Sequence, residues 1–196
     1  MKLDEIDTGS TAVRERPETR FSSWRSEVAT RDFQKKLEVA GRPGPAHQVF
    51  ESLAGNWRAE VRCWIEPDGP PEMSLGSARI FWTLSGRFLE EEFHGEMMGR
   101  PYTGRTLMGF DNIKQTFNSV SVSDIQTSMF TCEGKGEHGN KLITMEGRAT
   151  CMASDCKDIP MRTVMRIISP LKHTVEMFDR SKGDNVKTME ITYTRR

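Results

Sequence analysis

From Trp57 onward the chain reads in twos. Trp57, Ala59, Val61, Cys63 and Ile65 alternate with Arg58, Glu60, Arg62 and Trp64, the period of a strand with its two faces in different surroundings. The turn-rich segment Glu66-Pro67-Asp68-Gly69-Pro70-Pro71 ends this run. Further stretches of strand character follow over residues 77–84, 87–96, 103–111, 116–123, 129–135, 142–151, 163–169, 174–180 and 186–195. Between them lie turn signals such as Ser85-Gly86, Gly136-Glu137-His138-Gly139-Asn140 and Lys182-Gly183-Asp184-Asn185. About ten short strands at regular spacing predict an all-β fold that closes into an antiparallel barrel.

The chain before Trp57 has a different pattern. Residues 1–20 are polar and charged and read as a tail. Residues 23–39 carry Trp24, Val28, Phe33, Leu37 and Val39 at loosely helical spacing, with Ser22 or Ser23 as cap and Gly41 and Pro43-Gly44-Pro45 as the stop. This predicts an accessory helix that covers apolar surface on the barrel or joins two copies as a homodimer. Residues 46–54 predict a short helix with Val49, Phe50 and Leu53 on one face, placed to plug one barrel mouth. The expected division is therefore 1–44, tail and accessory helix, and 45–196, barrel.

Gly55-Asn56-Trp57 enters the first strand and Tyr193-Thr194-Arg195 ends the last. In a closed barrel this pair locks the two chain ends, the indole covering the floor and the guanidinium lying on its ring. That arrangement suits a calycin-like, lipocalin-like barrel.

Composition narrows the function classes. Of 196 residues, 36% are hydrophobic and 29% charged, a balance expected of strands with one face in water. Lys plus Arg and Asp plus Glu both number 28, so no charge excess points to nucleic acid or an anionic membrane. The first residues lack an apolar leader and no apolar run approaches the roughly 20 residues of a membrane span, so a cytoplasmic location with reduced thiols is expected. Cys151 and Cys156 are the one close cysteine pair, but their spacing is not that of a redox or zinc motif, and no metal site is expected.

The ordered set His47, Leu53-Ala54-Gly55-Asn56-Trp57, Gly86-Arg87-Phe88-Leu89, Gly99 with Gly104, Gly109-Phe110-Asp111-Asn112, Asp124, and Glu190 with Tyr193 and Arg195 resembles the bacterial family called domain of unknown function 1579. The resemblance covers roughly residues 45–196. It implies a lipocalin-like β-barrel and carries no assigned reaction. An aromatic just before Asp124 would fit the family pattern, whereas this chain has Val120-Ser121-Val122-Ser123. If that position lines the cavity, the pocket is wider or more polar.

Several groups bear chemistry. Asp111 reads either as an acid or base at the cavity mouth or as the cap of an Asx-turn. On the 87–96 strand, Glu90, Glu92 and His94 share one face, and Leu89, Glu91 and Phe93 the other. The charged face binds a metal or moves protons if it points inward; if it points outward, Leu89 and Phe93 are core and Glu91 is the misfit. Arg166 has Glu176 or Glu190 as a cross-strand partner. His47, His94, His138 and His173 are scattered without metal-ligand spacing. Haem-binding barrels related to nitrobindin use a single late-strand His, and only His173 is so placed; a lone His is more often structural.

Two readings follow. In the first, the barrel binds a small, largely hydrophobic molecule without a resident cofactor, lined by Trp82, Phe88, Phe110, Phe117, Met108, Met165 and Tyr193, the abundant Met suiting an adaptable cavity. In the second, the same barrel is an isomerase, cyclase or hydrolase using an interior cluster of Asp111, Asp124, His94, Arg166 and Glu176.

Overall fold

The computed structural model describes residues 27–67, 69–150 and 158–196. The expected tail, the Ser22 or Ser23 cap, Trp24 and the Cys151–Cys156 pair lie outside these residues. Leu37–Arg196 form one compact unit. Helix α1, Glu27–Gly41, ends at the predicted stop, and Phe33, Leu37 and Val39 on it are exposed. Within that unit, Asn112 donates from Nδ2 to the carbonyls of Ala40 (2.9 Å) and Arg42 (2.8 Å). No helix among the described residues is long and apolar enough to cross a membrane.

The barrel has ten antiparallel strands: β1 Gly55–Cys63, β2 Glu72–Thr83, β3 Phe88–Met97, β4 Arg100–Asp111, β5 Thr116–Ser123, β6 Gln126–Glu137, β7 Leu142–Ala149, β8 Ile159–Ser169, β9 Lys172–Asp179 and β10 Lys187–Arg195. Each pairs with its sequence neighbours, and β1 closes the ring on β10. β2 begins five residues before the predicted start. Its first half, Glu72 to Ser77, has weak strand character but pairs with β1 from Cys63 back to Arg58. Pairing along a buried neighbour overrides local preference there.

Period two sets the inner wall. Trp57, Ala59 and Val61 are buried, and their register carries the inward face to Ala78, Ile80, Leu89, Glu91 and Phe93. From there it runs to Thr106, Met108, Phe110, Phe117, Ser119 and Ser121, and on the far side to Met165, His173, Val175, Ile191 and Tyr193.

One end is shut. Helix α2, Pro45–Gln48, continues as a single 3₁₀ turn over Val49–Ser52, and the plug drives Phe50 and Leu53 into the barrel, where both are fully buried. Phe50 meets Phe117 and Trp82 edge-to-face at ring distances of 5.7 and 6.0 Å. His47 packs on Phe110 at 5.9 Å, and its Nδ1 accepts the Gly44 N–H at 3.0 Å. Trp57 Nε1 donates to the Leu53 carbonyl at 2.8 Å. Arg195 lies over the Trp57 ring at 4.3 Å and donates to the carbonyls of Ser52, Ala54 and Pro170. The expected lock between the chain ends is therefore present, and it also holds the plug.

Candidate functional site

Alternation places Glu91 among apolar neighbours. Leu89 and Phe93, two residues away on either side, are core, so the carboxylate between them points to the interior. Glu91 lies deep in the barrel yet keeps accessible side-chain surface, as do the inward-facing Thr106, Met108, Ser119, Ser121 and Val175. For Glu91, Thr106, Met108 and Val175 that surface lines one shared cavity. That cavity has about 20 Å³, room for about one water. Leu53, Ile80 and Leu89 line its apolar side; Glu91, Thr106, His173 and Tyr193 supply the polar atoms.

The Tyr193 hydroxyl donates to Glu91 Oε1 at 2.7 Å. Burial pushes the Glu91 carboxyl above the usual carboxylate range, against the opposing effect of this hydrogen bond. Burial and the neighbouring carboxylate push the Tyr193 phenol well above its ordinary value. His173 stacks on Tyr193 with ring centres 4.3 Å apart and meets the Trp57 edge at 4.4 Å. Its Nδ1 is buried without a protein partner. Burial, helped by the Arg195 charge, lowers its pKa to about 3, so the ring is neutral.

Toward the other end the wall becomes small and polar. Thr106 and Ser121 hydroxyls bond at 2.9 Å. Ser119, Ser121 and Ser123 all face inward in register with Met108, Thr106 and Gly104. The segment that lacks the expected aromatic thus makes this wall polar. Phe93 and Tyr102 pack at 5.8 Å beyond Glu91. Gly76 and Gly95 flank the Phe93 ring so closely that a Cβ at either would strike it.

The seven residues expected to line a cavity divide into three groups. Met108, Met165 and Tyr193 line the deep pocket. Phe110 and Phe117 face inward but pack on each other at 4.9 Å, and Trp82 packs on Phe50, so all three belong to the plugged floor. Phe88 is a correction. Its register with Gly109 and Thr83 puts it on the outer face, where it covers Gly109.

The five acid–base candidates do not form an interior cluster. Asp111 accepts from the Ile113 and Lys114 amides at 2.7 and 3.0 Å, the Asx-turn geometry, and these bonds lower its pKa. Asp124 is exposed and accepts the Thr103 amide at 3.0 Å; the exposed His94 lies 3.5 Å from the Thr103 hydroxyl. Arg166 pairs with Glu176 at 3.2 Å on the outer face. Lys187 binds the same Glu176 and also Glu190. Burial acts to raise the Glu176 pKa, but these cations outweigh it and hold the carboxyl low. Alternation is the reason: strands whose apolar set turns inward carry their charged set to water. Glu90 and Glu92 accordingly pair with Arg105 outside, at 3.0 and 2.9 Å.

Sequence reasoning missed Glu91 as a site residue, although its signal was visible as a carboxylate between Leu89 and Phe93 on an apolar strand face. Thr106 had no such signal.

Comparison with solved structures finds the same fold in the crystal structure of Rv2717c from M. tuberculosis, at TM-score 0.57 and 14% identity, covering 79% of this chain and 99% of that one. A redesigned β-barrel matches at TM-score 0.39 and 13% identity, over 74% of this chain and 93% of its own. No curated protein matches the chain. The family model described as a protein of unknown function, DUF1579, matches residues 42–195. The ten-strand barrel with its Trp–Arg lock thus belongs to a chain that is a member of the DUF1579 family.

Proposed function

We propose that this protein binds a small, largely apolar molecule inside its barrel, with the molecule's polar group at the Glu91–Tyr193 pair. The observation that carries the reading is the position of Glu91: deep in the barrel, hydrogen-bonded to Tyr193, and with side-chain surface open to internal space. An acid held in an apolar sleeve without a cation beside it costs stability, a cost that a binding role explains. The rest of the lining suits the task. Met108 and Met165 are unbranched and flexible, so they enlarge a water-sized pocket by changing rotamer rather than by moving backbone. Few, well-placed polar groups on an apolar wall are the usual make-up of a small-molecule site.

Native mass spectrometry of freshly purified protein, with its ultraviolet–visible spectrum, tests the reading. The expected result is a retained organic mass that is lost in Glu91→Leu or in Met108→Phe. A clean apo mass, together with no binding from a panel of small apolar compounds, would overturn it.

A further inference from the structure

The register identifies every inward-phase position on the ten strands. Apart from Arg195 at the floor and Arg100 at the exposed β3–β4 tip, none is Lys or Arg; Lys187 shares the parity of Met189 and Ile191, but a bulge between Lys187 and Met189 shifts its register and Glu176 and Glu190 hold its ammonium. Arg195 is already engaged by three carbonyls and the Trp57 ring. An organic anion placed beside Glu91 would therefore meet a second acid and no free cation. Burying such a charge unpaired is costly.

We propose that the inner wall is built for an uncharged ligand with a carbonyl or ether oxygen, which accepts a hydrogen bond from the Glu91 carboxylic acid, and that it rejects organic anions. The inference rests on the reading of the interior as a binding site and gives that site its chemistry. Glu91 Oε1 takes the Tyr193 hydroxyl, which leaves the other carboxyl oxygen to carry the proton toward the ligand. Thr106 and Ser121 satisfy one another and add neutral polarity without charge. Burial favours the protonated acid, in keeping with this role.

The test uses three probes of matched chain length at neutral pH: methyl nonyl ketone, decanoate and decylamine, with binding followed by tryptophan fluorescence and calorimetry. The ketone is expected to bind at least about tenfold more tightly than either ion. Glu91→Gln keeps an N–H donor of the same shape and should hold the ketone within a few-fold, whereas Glu91→Leu should lose about tenfold or more. Decanoate or decylamine binding as tightly as the ketone overturns the inference. Infrared difference spectra between the wild type and Glu91→Gln separate this inference from the reading beneath it. A carboxylic-acid carbonyl band that the variant lacks supports the inference, and an ionised carboxylate in its place overturns it even where ligands bind. If none of the three probes binds, the reading of the interior falls and this inference with it.

Discussion

Tyr193 on the last strand donates a hydrogen bond to Glu91 on the third, across the barrel interior and over 102 positions of sequence. The pair joins the strand that closes the barrel to β3, three strands round the ring. His173 stacks behind the phenol, so a change at any one of the three is felt by the other two.

Glu91 makes stability fall as pH rises. Its folded pKa is raised by burial, so the folded state binds more protons than the unfolded one above the ordinary carboxylate range. Its contribution is complete below the unfolded pKa of 4.5 and is lost as pH climbs through the folded value. In urea denaturation from about pH 4 to pH 8, Glu91→Gln should gain on the wild type steadily toward the alkaline side. A constant difference across that range would contradict the assignment.

His173 acts in the other direction. Its folded pKa of about 3 lies below the ordinary imidazole value of 6.5, so the unfolded state takes the proton first and stability falls as pH drops from 6.5 toward 3. His173→Phe keeps a flat ring for stacking on Tyr193 and removes the titration. The variant should lose several kcal/mol less than the wild type over that interval, read by thermal unfolding at successive pH values. Equal acid sensitivity of the two proteins would refute this.

Arg195 holds three carbonyls of the plug and of the β8–β9 turn while covering Trp57. Arg195→Ala should cost about 4 kcal/mol, from three exposed or part-buried hydrogen bonds at about 1 kcal/mol each and a cation–π contact of about 0.5–1 kcal/mol. Chemical denaturation measures it. A loss under about 1 kcal/mol would mean that the floor is held by Phe50 and Leu53 alone.

Gly55 has φ +145°, and a Cβ there would collide with the Arg195 guanidinium. Gly55→Ala should therefore destabilise by about 2 kcal/mol from backbone strain alone, with further loss from displacing Arg195. Combining it with Arg195→Ala should give less than the sum of the two single changes, because both disturb one contact. Strict additivity in a double-mutant cycle would argue that they act separately.

The barrel itself was legible in the chain. Alternation from Trp57 to Cys63, the turn residues between strands and the short apolar run ending at Leu53 are local patterns, and each predicts its element without knowledge of the rest. The Gly55-Asn56-Trp57 and Arg195 lock was legible too, because glycine at that turn and an Arg opposite a Trp have few other uses.

The site was legible only in part. Period two says which residues share a face, and Leu89, Glu91 and Phe93 were grouped correctly by it. It does not say that an acid on that face is buried rather than tolerated at an edge, nor which residue 102 positions away will meet it. Phe88 has the composition of a lining residue, yet its register with Gly109 sends it outside. Asp111 and Arg166 have the chemistry of a site, yet one caps a turn and the other pairs on the surface. The sequence by itself determined the strands, the plugged end and the closing pair, since these follow from short-range stereochemistry and hydrophobic periodicity. Only the tertiary structure decided the polar centre. Barrel closure sets the register between distant strands, and that register alone brings Glu91, Tyr193 and His173 to one place.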